Sequence, residues 1–135
     1  MNARPHGLDQ DTVTGFLDEA GKHVATLNER LLAAEQGRSG AEDIAEMFRA
    51  AHSLKGAAGF LKLTDICNVT HRMESVLDQV RHGKLAFSGQ VIDALFPSFD
   101  VVAALLANIA TGTAQEVDTA PAMALLDAIL AGSKG

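Results

Sequence analysis

An all-α fold, an antiparallel up-down four-helix bundle with a short fifth C-terminal helix, is predicted by three features of the sequence. Apolar residues recur at steps of three and four over four long segments, the spacing that lines them up on one helix face. Only three prolines interrupt the 135 residues, and the glycines fall mostly at segment ends. The links between segments are short, which makes consecutive helices antiparallel neighbours. A chain of this length buries a real core as a single domain.

The first helix is expected over about 11–36, with Val13, Leu17, Ala20, Val24, Leu27 and Leu31 as its seam and Gly37 as the residue that ends it. The second, about 40–62, opens on Ser39 with Glu42 three residues on, a capping box. Its seam is Ile44, Met47, Ala51, Leu54, Ala58 and Leu61. The third, about 65–82, begins at Thr64 and Asp65 and buries Ile66, Val69, Met73, Val76 and Val80. The fourth, about 89–111, follows Ser88, with Phe87 and Ile92 as a hydrophobic staple and Leu95, Phe99, Val102, Leu106 and Ile109 continuing the seam. Pro97 inside it is expected to kink the helix or loosen one turn. A polar link, Thr113 to Asp118, leads to the fifth helix, about 120–131. Thr119 and Pro121 open it, and Leu125, Leu126, Ile129 and Leu130 are its residues to bury, on the outside or end of the bundle. Residues 1–8 read as a frayed end, Ala131 to Gly135 as the start of a linker, and the chain as an N-terminal piece of a longer protein.

Composition narrows the function. Apolar residues make up 47% and charged ones 21%, an ordinary globular balance, and with Trp and Tyr absent the core must be aliphatic, Met and Phe. The net charge of −6 argues against nucleic acid and against an anionic membrane surface, both of which recruit Lys and Arg. Cys67, the single cysteine, forms no internal disulfide and fits a reducing cytoplasm. Met1 to Asp9 has no apolar signal core, and the longest apolar run, Val101 to Ala107, falls far short of the ~18 residues of a spanning helix. No membrane insertion is expected.

His52 stands out. On the helical wheel it lies roughly 130° from the centre of its own helix's apolar arc. Ala45, Phe48, Arg49, Lys55, Gly56 and Gly59 share its side, so a titratable nucleophile is displayed beside a cation and two glycines. Each glycine costs about 1 kcal/mol relative to alanine inside a helix. Two on one face suggest a close approach to the backbone, either by a partner or by a neighbouring helix. In the third helix, His71, Glu74, Asp78 and Arg81 form a stripe, with Glu74 bordering the apolar seam. With the two helices antiparallel, Glu74 is placed to accept from one ring nitrogen of His52, leaving the other as nucleophile. Lys55 would then offset charge on an arriving phosphoryl group. As isolated residues, Glu74 and Lys55 read equally well as solvated helix charges.

The stretch Phe48 to Gly59, with Ala-x-His-Ser-Leu-Lys-Gly-Ala-Ala-Gly at its heart, resembles the histidine phosphotransfer (HPt) domain of CheA-type chemotaxis histidine kinases. Thr70-His71-Arg72-Met73-Glu74-Ser75-Val76-Leu77-Asp78 resembles the family's second run, Thr-His-x-Met-Glu-x-x-Leu-Asp, at the family's distance. The layout fits from about residue 9 to 131. The resemblance implies His52 as phosphoacceptor, Glu74 as the carboxylate on its far ring nitrogen, Lys55 as the phosphate-side cation and His71 as the second site histidine. Departures occur at Ala57 and Ala58, where relatives often carry another glycine, and at Phe60 to Leu63, which replace a more aromatic stretch.

No Gly-rich nucleotide loop, Walker-type motif or acidic metal cluster is present, so the domain itself holds no cofactor. The resemblance implies two partners. A CheA-type kinase catalytic domain, in this polypeptide or another, loads His52 from ATP and Mg²⁺. A CheY-type response regulator with its own Mg²⁺ then unloads it onto an aspartate, with Phe48, Gly56 and Gly59 as docking surface. Other readings are a stand-alone or hybrid-kinase HPt relay, a metal-binding bundle through Cys67, His71 and Glu74, and a passive helical adaptor.

Overall fold

The computed structural model describes residues 9–113 and 115–133; the expectations for residues 1–8 and for the last two residues lie outside them. Five helices follow in order, α1 (Gln10–Glu35), α2 (Ala41–Phe60), α3 (Thr64–Arg81), α4 (Gly89–Thr111) and α5 (Ala120–Ser133). α1 packs on α2 and α4, and α3 packs on α2 and α4, which closes the four long helices into a ring. α5 lies against α3 and α4.

The seam residues meet on the inside. Leu27, Leu31, Met47, Leu54, Val69, Met73, Val76, Leu95, Phe99 and Val102 are fully or almost fully buried. Burying one such side chain contributes about 1.5–3 kcal/mol. Burial also extends beyond the predicted stripes, to Phe16, Ala50, Thr70, Glu74, Leu77, Val91, Ala94 and Ser98. α3 and α4 carry such second stripes because α5 covers them in addition to their bundle neighbours.

α4 is long and apolar enough to cross a membrane by length and composition, with a mean hydropathy of 1.6. Burial accounts for part of that apolarity: Val91, Ile92, Leu95, Phe99, Val102 and Leu106 lie inside the protein, and 33% of the apolar stretch is buried. The helix runs unbroken through Pro97. The buried Ser98 hydroxyl donates to the Ala94 carbonyl at 2.9 Å, bracing the turn where the proline supplies no amide.

α2 starts one residue later than the Ser39 cap predicts. Gly40 is the N-cap, and its amide donates to Asp43 Oδ2 at 2.9 Å. Arg30 of α1 donates to Asp43 at 2.8 Å and to Glu46 at 2.9 Å, so the first turn of α2 is anchored from the inside. Glu42 instead faces outward and pairs with Arg49. In α5, Ala122, Leu126 and Ile129 are buried, but Leu125 is 46% exposed and Leu130 half-buried, against the expectation for both. A shift of the buried stripe toward the small Ala122 lets the helix lie close on α3, where Arg72 pairs with Asp127 at 2.9 Å.

The first four helices end on a residue in the left-handed conformation. Three of these are glycines, Gly37, Gly83 and Gly112; the fourth is Lys62, at φ +60°. Leu63 N–H donates back to Ala58 O at 2.8 Å and Lys62 N–H to Gly59 O at 3.1 Å, a Schellman turn made without glycine. An L-residue there costs about 1–2 kcal/mol, partly offset by the greater unfolded-state freedom of glycine. Lys62→Gly is therefore expected to stabilise the protein by about 0.5–1 kcal/mol. A higher urea midpoint at unchanged m-value is the expected reading, and a lower midpoint contradicts it. This tight link sets the register of α3 against α2.

Candidate functional site

That register brings His52 of α2 opposite Glu74 of α3. The His52 side chain is 62% exposed, whereas that of Glu74 is 11% exposed. His52 Nδ1 is hydrogen-bonded to Glu74 Oε2. Lys55 Nζ donates to the other oxygen, Glu74 Oε1, at 2.7 Å. One carboxylate thus serves both residues of α2.

Burial pushes the Glu74 carboxyl group up, but the hydrogen bonds and charges of Lys55 and His52 outweigh it and hold the group below the usual carboxylate range. Ionised, Glu74 only accepts. In the neutral imidazole Nδ1 therefore carries the proton, and Nε2 keeps its lone pair. The site offers a nucleophile of fixed tautomer on an open helical face.

Around it, Phe48 stacks one turn before His52, ring centroids 6.0 Å apart and planes 14° apart. The Arg81 guanidinium lies 3.9 Å from the Phe48 ring centroid, and its Nη2 donates to Asp78 at 2.8 Å. Phe48, Glu74, Ser75 and Asp78 bound a shallow cleft beside the imidazole. On the other side, a Cβ added at Gly56 would meet nothing within 4 Å, and one at Gly59 only Cys67 Sγ at 3.8 Å. Close packing between helices does not explain Gly56, above which the space is open, while Gly59 lies within ordinary contact distance of Cys67 on α3.

Of the residues singled out in the sequence, His52, Glu74 and Lys55 come together. Lys55, expected as the phosphate-side cation, has its ammonium on Glu74 Oε1. His71 is exposed one turn before Glu74, and its ring makes no hydrogen bond to the described residues. Phe48 is half-buried, not exposed. The aromatic ring that does stand in solvent is Phe60, 82% exposed, at the last residue of α2 and one turn beyond Gly56. Sequence reading passed over it as a departure in packing, although its spacing from His52 and Gly56 was the available signal. The link from Arg81 to Phe48 was also missed, because it depends on the register between helices.

Cys67, His71 and Glu74 do not converge. Among the described residues no three His, Cys, Asp or Glu side chains form a metal-binding group. Both Glu74 oxygens are already engaged, and Cys67 Sγ lies 3.9 Å from the Lys55 carbonyl.

The family described as "Hpt domain" matches residues 11–131. The chemotaxis protein CheA of Bacillus subtilis is 34% identical over 112 residues, 83% of this chain and 17% of that protein. That of Treponema pallidum is 33% identical over 125 residues, 93% of this chain and 15% of that protein. The chain thus spans less than a fifth of the length of these curated relatives. Among solved structures, the CheA phosphotransferase domain from Thermotoga maritima is similar, with a TM-score of 0.71, 29% identity, and coverage of 77% of this chain and 99% of that one. The phosphorylated P1 domain of CheA3 from R. sphaeroides, solved in complex with CheY6, shares the fold, with a TM-score of 0.76 at 22% identity over 92% of this chain and 96% of that one.

Proposed function

The chain belongs to the Hpt domain family, and we propose that it carries a phosphoryl group on Nε2 of His52 between a CheA-type kinase domain and a CheY-type response regulator. The observation that carries this reading is the exposed imidazole with Nδ1 tied to a buried, ionised Glu74.

The chemistry follows from that tautomer. The Nε2 lone pair attacks the γ-phosphorus of ATP, the bond to the β-phosphate oxygen breaks, and ADP leaves. No proton has to move, because Nδ1–H stays on Glu74. The imidazole becomes cationic, and the adjacent carboxylate balances that charge. In the return step an aspartate oxygen of the regulator attacks phosphorus, the N–P bond breaks, and the ring leaves as neutral imidazole. ATP and Mg²⁺ belong to the kinase domain, and a second Mg²⁺ to the regulator; positioning and charge on those partners supply most of the rate. Lys55 acts through Glu74 and adds positive charge to the edge of the site. A cytoplasmic setting belongs to the same reading, with Cys67 reduced.

The docking surface is the open face of α2 formed by Gly56 and Gly59, extended by Phe60. Phe48 adds only the part of its ring left uncovered. Gly56→Leu is expected to leave the fold intact, since nothing lies within 4 Å of its Cβ, and to raise helix propensity by just under 1 kcal/mol. The same side chain stands in the way of a partner, so transfer from phospho-His52 to a regulator should slow at least tenfold. Unimpaired transfer would remove Gly56 from the docking surface.

The test of the reading itself is incubation with a CheA-type kinase catalytic domain, ATP and Mg²⁺. The expected product is an acid-labile, base-stable label that is absent from His52→Gln. Label that persists in that variant refutes the assignment.

A further inference from the structure

We propose that Phe48 and Arg81 are positioning residues for the phosphoacceptor, holding the plane of the His52 ring so that Nε2 faces outward. The inference rests on His52 as acceptor and deepens that reading.

A single hydrogen bond at Nδ1 fixes one edge of an imidazole but leaves the ring free to rock about that bond. The side chain is 62% exposed, so the core does not restrain it. What meets its face is Phe48, one turn earlier on the same helix, stacked with its plane nearly parallel at 14° and its centroid 6.0 Å away. Stacking of this kind is a favoured arrangement of two flat π-systems. Phe48 is half-buried with one part packed against the core, and its open face needs a restraint. Arg81 supplies it from α3, with its guanidinium 3.9 Å from the Phe48 centroid. Helical side chains lean toward the N-terminus of their helix, which lets Arg81 reach back over Phe48. Asp78 holds the guanidinium at 2.8 Å, so its direction is set as well. The imidazole is thereby held at two places, by Glu74 at an edge and by the Arg81–Phe48 pair at a face. Both restraints come from α3, directly or through Phe48.

The experiment uses this chain as the substrate of a CheA-type kinase domain with ATP and Mg²⁺, alongside ¹⁵N NMR of the His52 ring without any partner. Phe48→Leu keeps the packing volume but removes the flat surface. It is expected to lower kcat about two- to tenfold, the factor an aromatic pair supplies, at unchanged KM. The Nδ1–H tautomer population and ring order of His52 should fall with it. Arg81→Gln is expected to act in the same direction with smaller effect, and Arg81→Lys, which keeps the cation over the ring, to recover part of the loss. A change in KM alone, unchanged kcat, or an unchanged ring signature in Phe48→Leu overturns the proposal. Failure of the unmodified chain to take label would instead count against His52 as acceptor, and the ring measurement reads independently of it.

Discussion

Replacing Glu74 by alanine is expected to slow phosphorylation of His52 by about 10- to 100-fold. A hydrogen bond to a charged group contributes about 1.5–3 kcal/mol, and each 1.36 kcal/mol is a factor of ten in rate. The variant removes the acceptor that selects the Nδ1–H tautomer and the charge that balances the phosphorylated ring. Glu74→Gln keeps an acceptor for Nδ1–H but not the charge, so its loss should be smaller. Loading rates with one kinase domain at saturating ATP check this order; equal rates in all three proteins would remove Glu74 from the chemistry. The same residue gives a pH signature. Its carboxyl group is held below its ordinary value of 4.5. A carboxylate depressed in the folded state stabilises above its unfolded pKa, and that contribution disappears as pH falls through the folded pKa. The stability difference between the wild-type protein and Glu74→Gln should therefore shrink as pH falls below about 4.5. Urea titrations across that range measure it.

The largest expected effect on stability is at Phe99, the bulkiest of the fully buried side chains. Phe99→Ala should cost about 3–5 kcal/mol, through lost transfer energy and the cavity left between the helices. The urea midpoint should fall sharply with the m-value unchanged. A loss below about 1 kcal/mol would mean that the bundle closes around the gap.

The helices were legible because their seams repeat at helical spacing and glycines stand where three of them stop. The fourth stop, at Lys62, was less visible, since a lysine carries no signal for a left-handed turn. The second buried stripe of α4, through Val91, Ala94 and Ser98, was not legible either. A seam identifies one covered face, and α4 is covered on more than one. The cap of α2 was misplaced because two overlapping patterns, Ser39 with Glu42 and Gly40 with Asp43, compete locally. Arg30, thirteen residues before Asp43, anchors the second of them. At the site, facing direction could be computed within each helix, which exposed His52 and put Glu74 near a neighbour. That Lys55 shares the carboxylate, and that Arg81 reaches Phe48, depends on how α2 slides against α3. No residue within either helix encodes that offset alone.

α5 touches α3 and α4, while the imidazole and its restraints lie where α2 meets α3. The fifth helix buries Ala122, Leu126 and Ile129 and is tied by Arg72 and Asp127 on the surface. Its amides should thus exchange with solvent deuterium through local opening, earlier than those of α2 and α3. Such an opening leaves the α2–α3 contact in place. The C-terminal helix has no contact with α2 and reaches the histidine only through α3, the helix that carries Glu74 and Arg81.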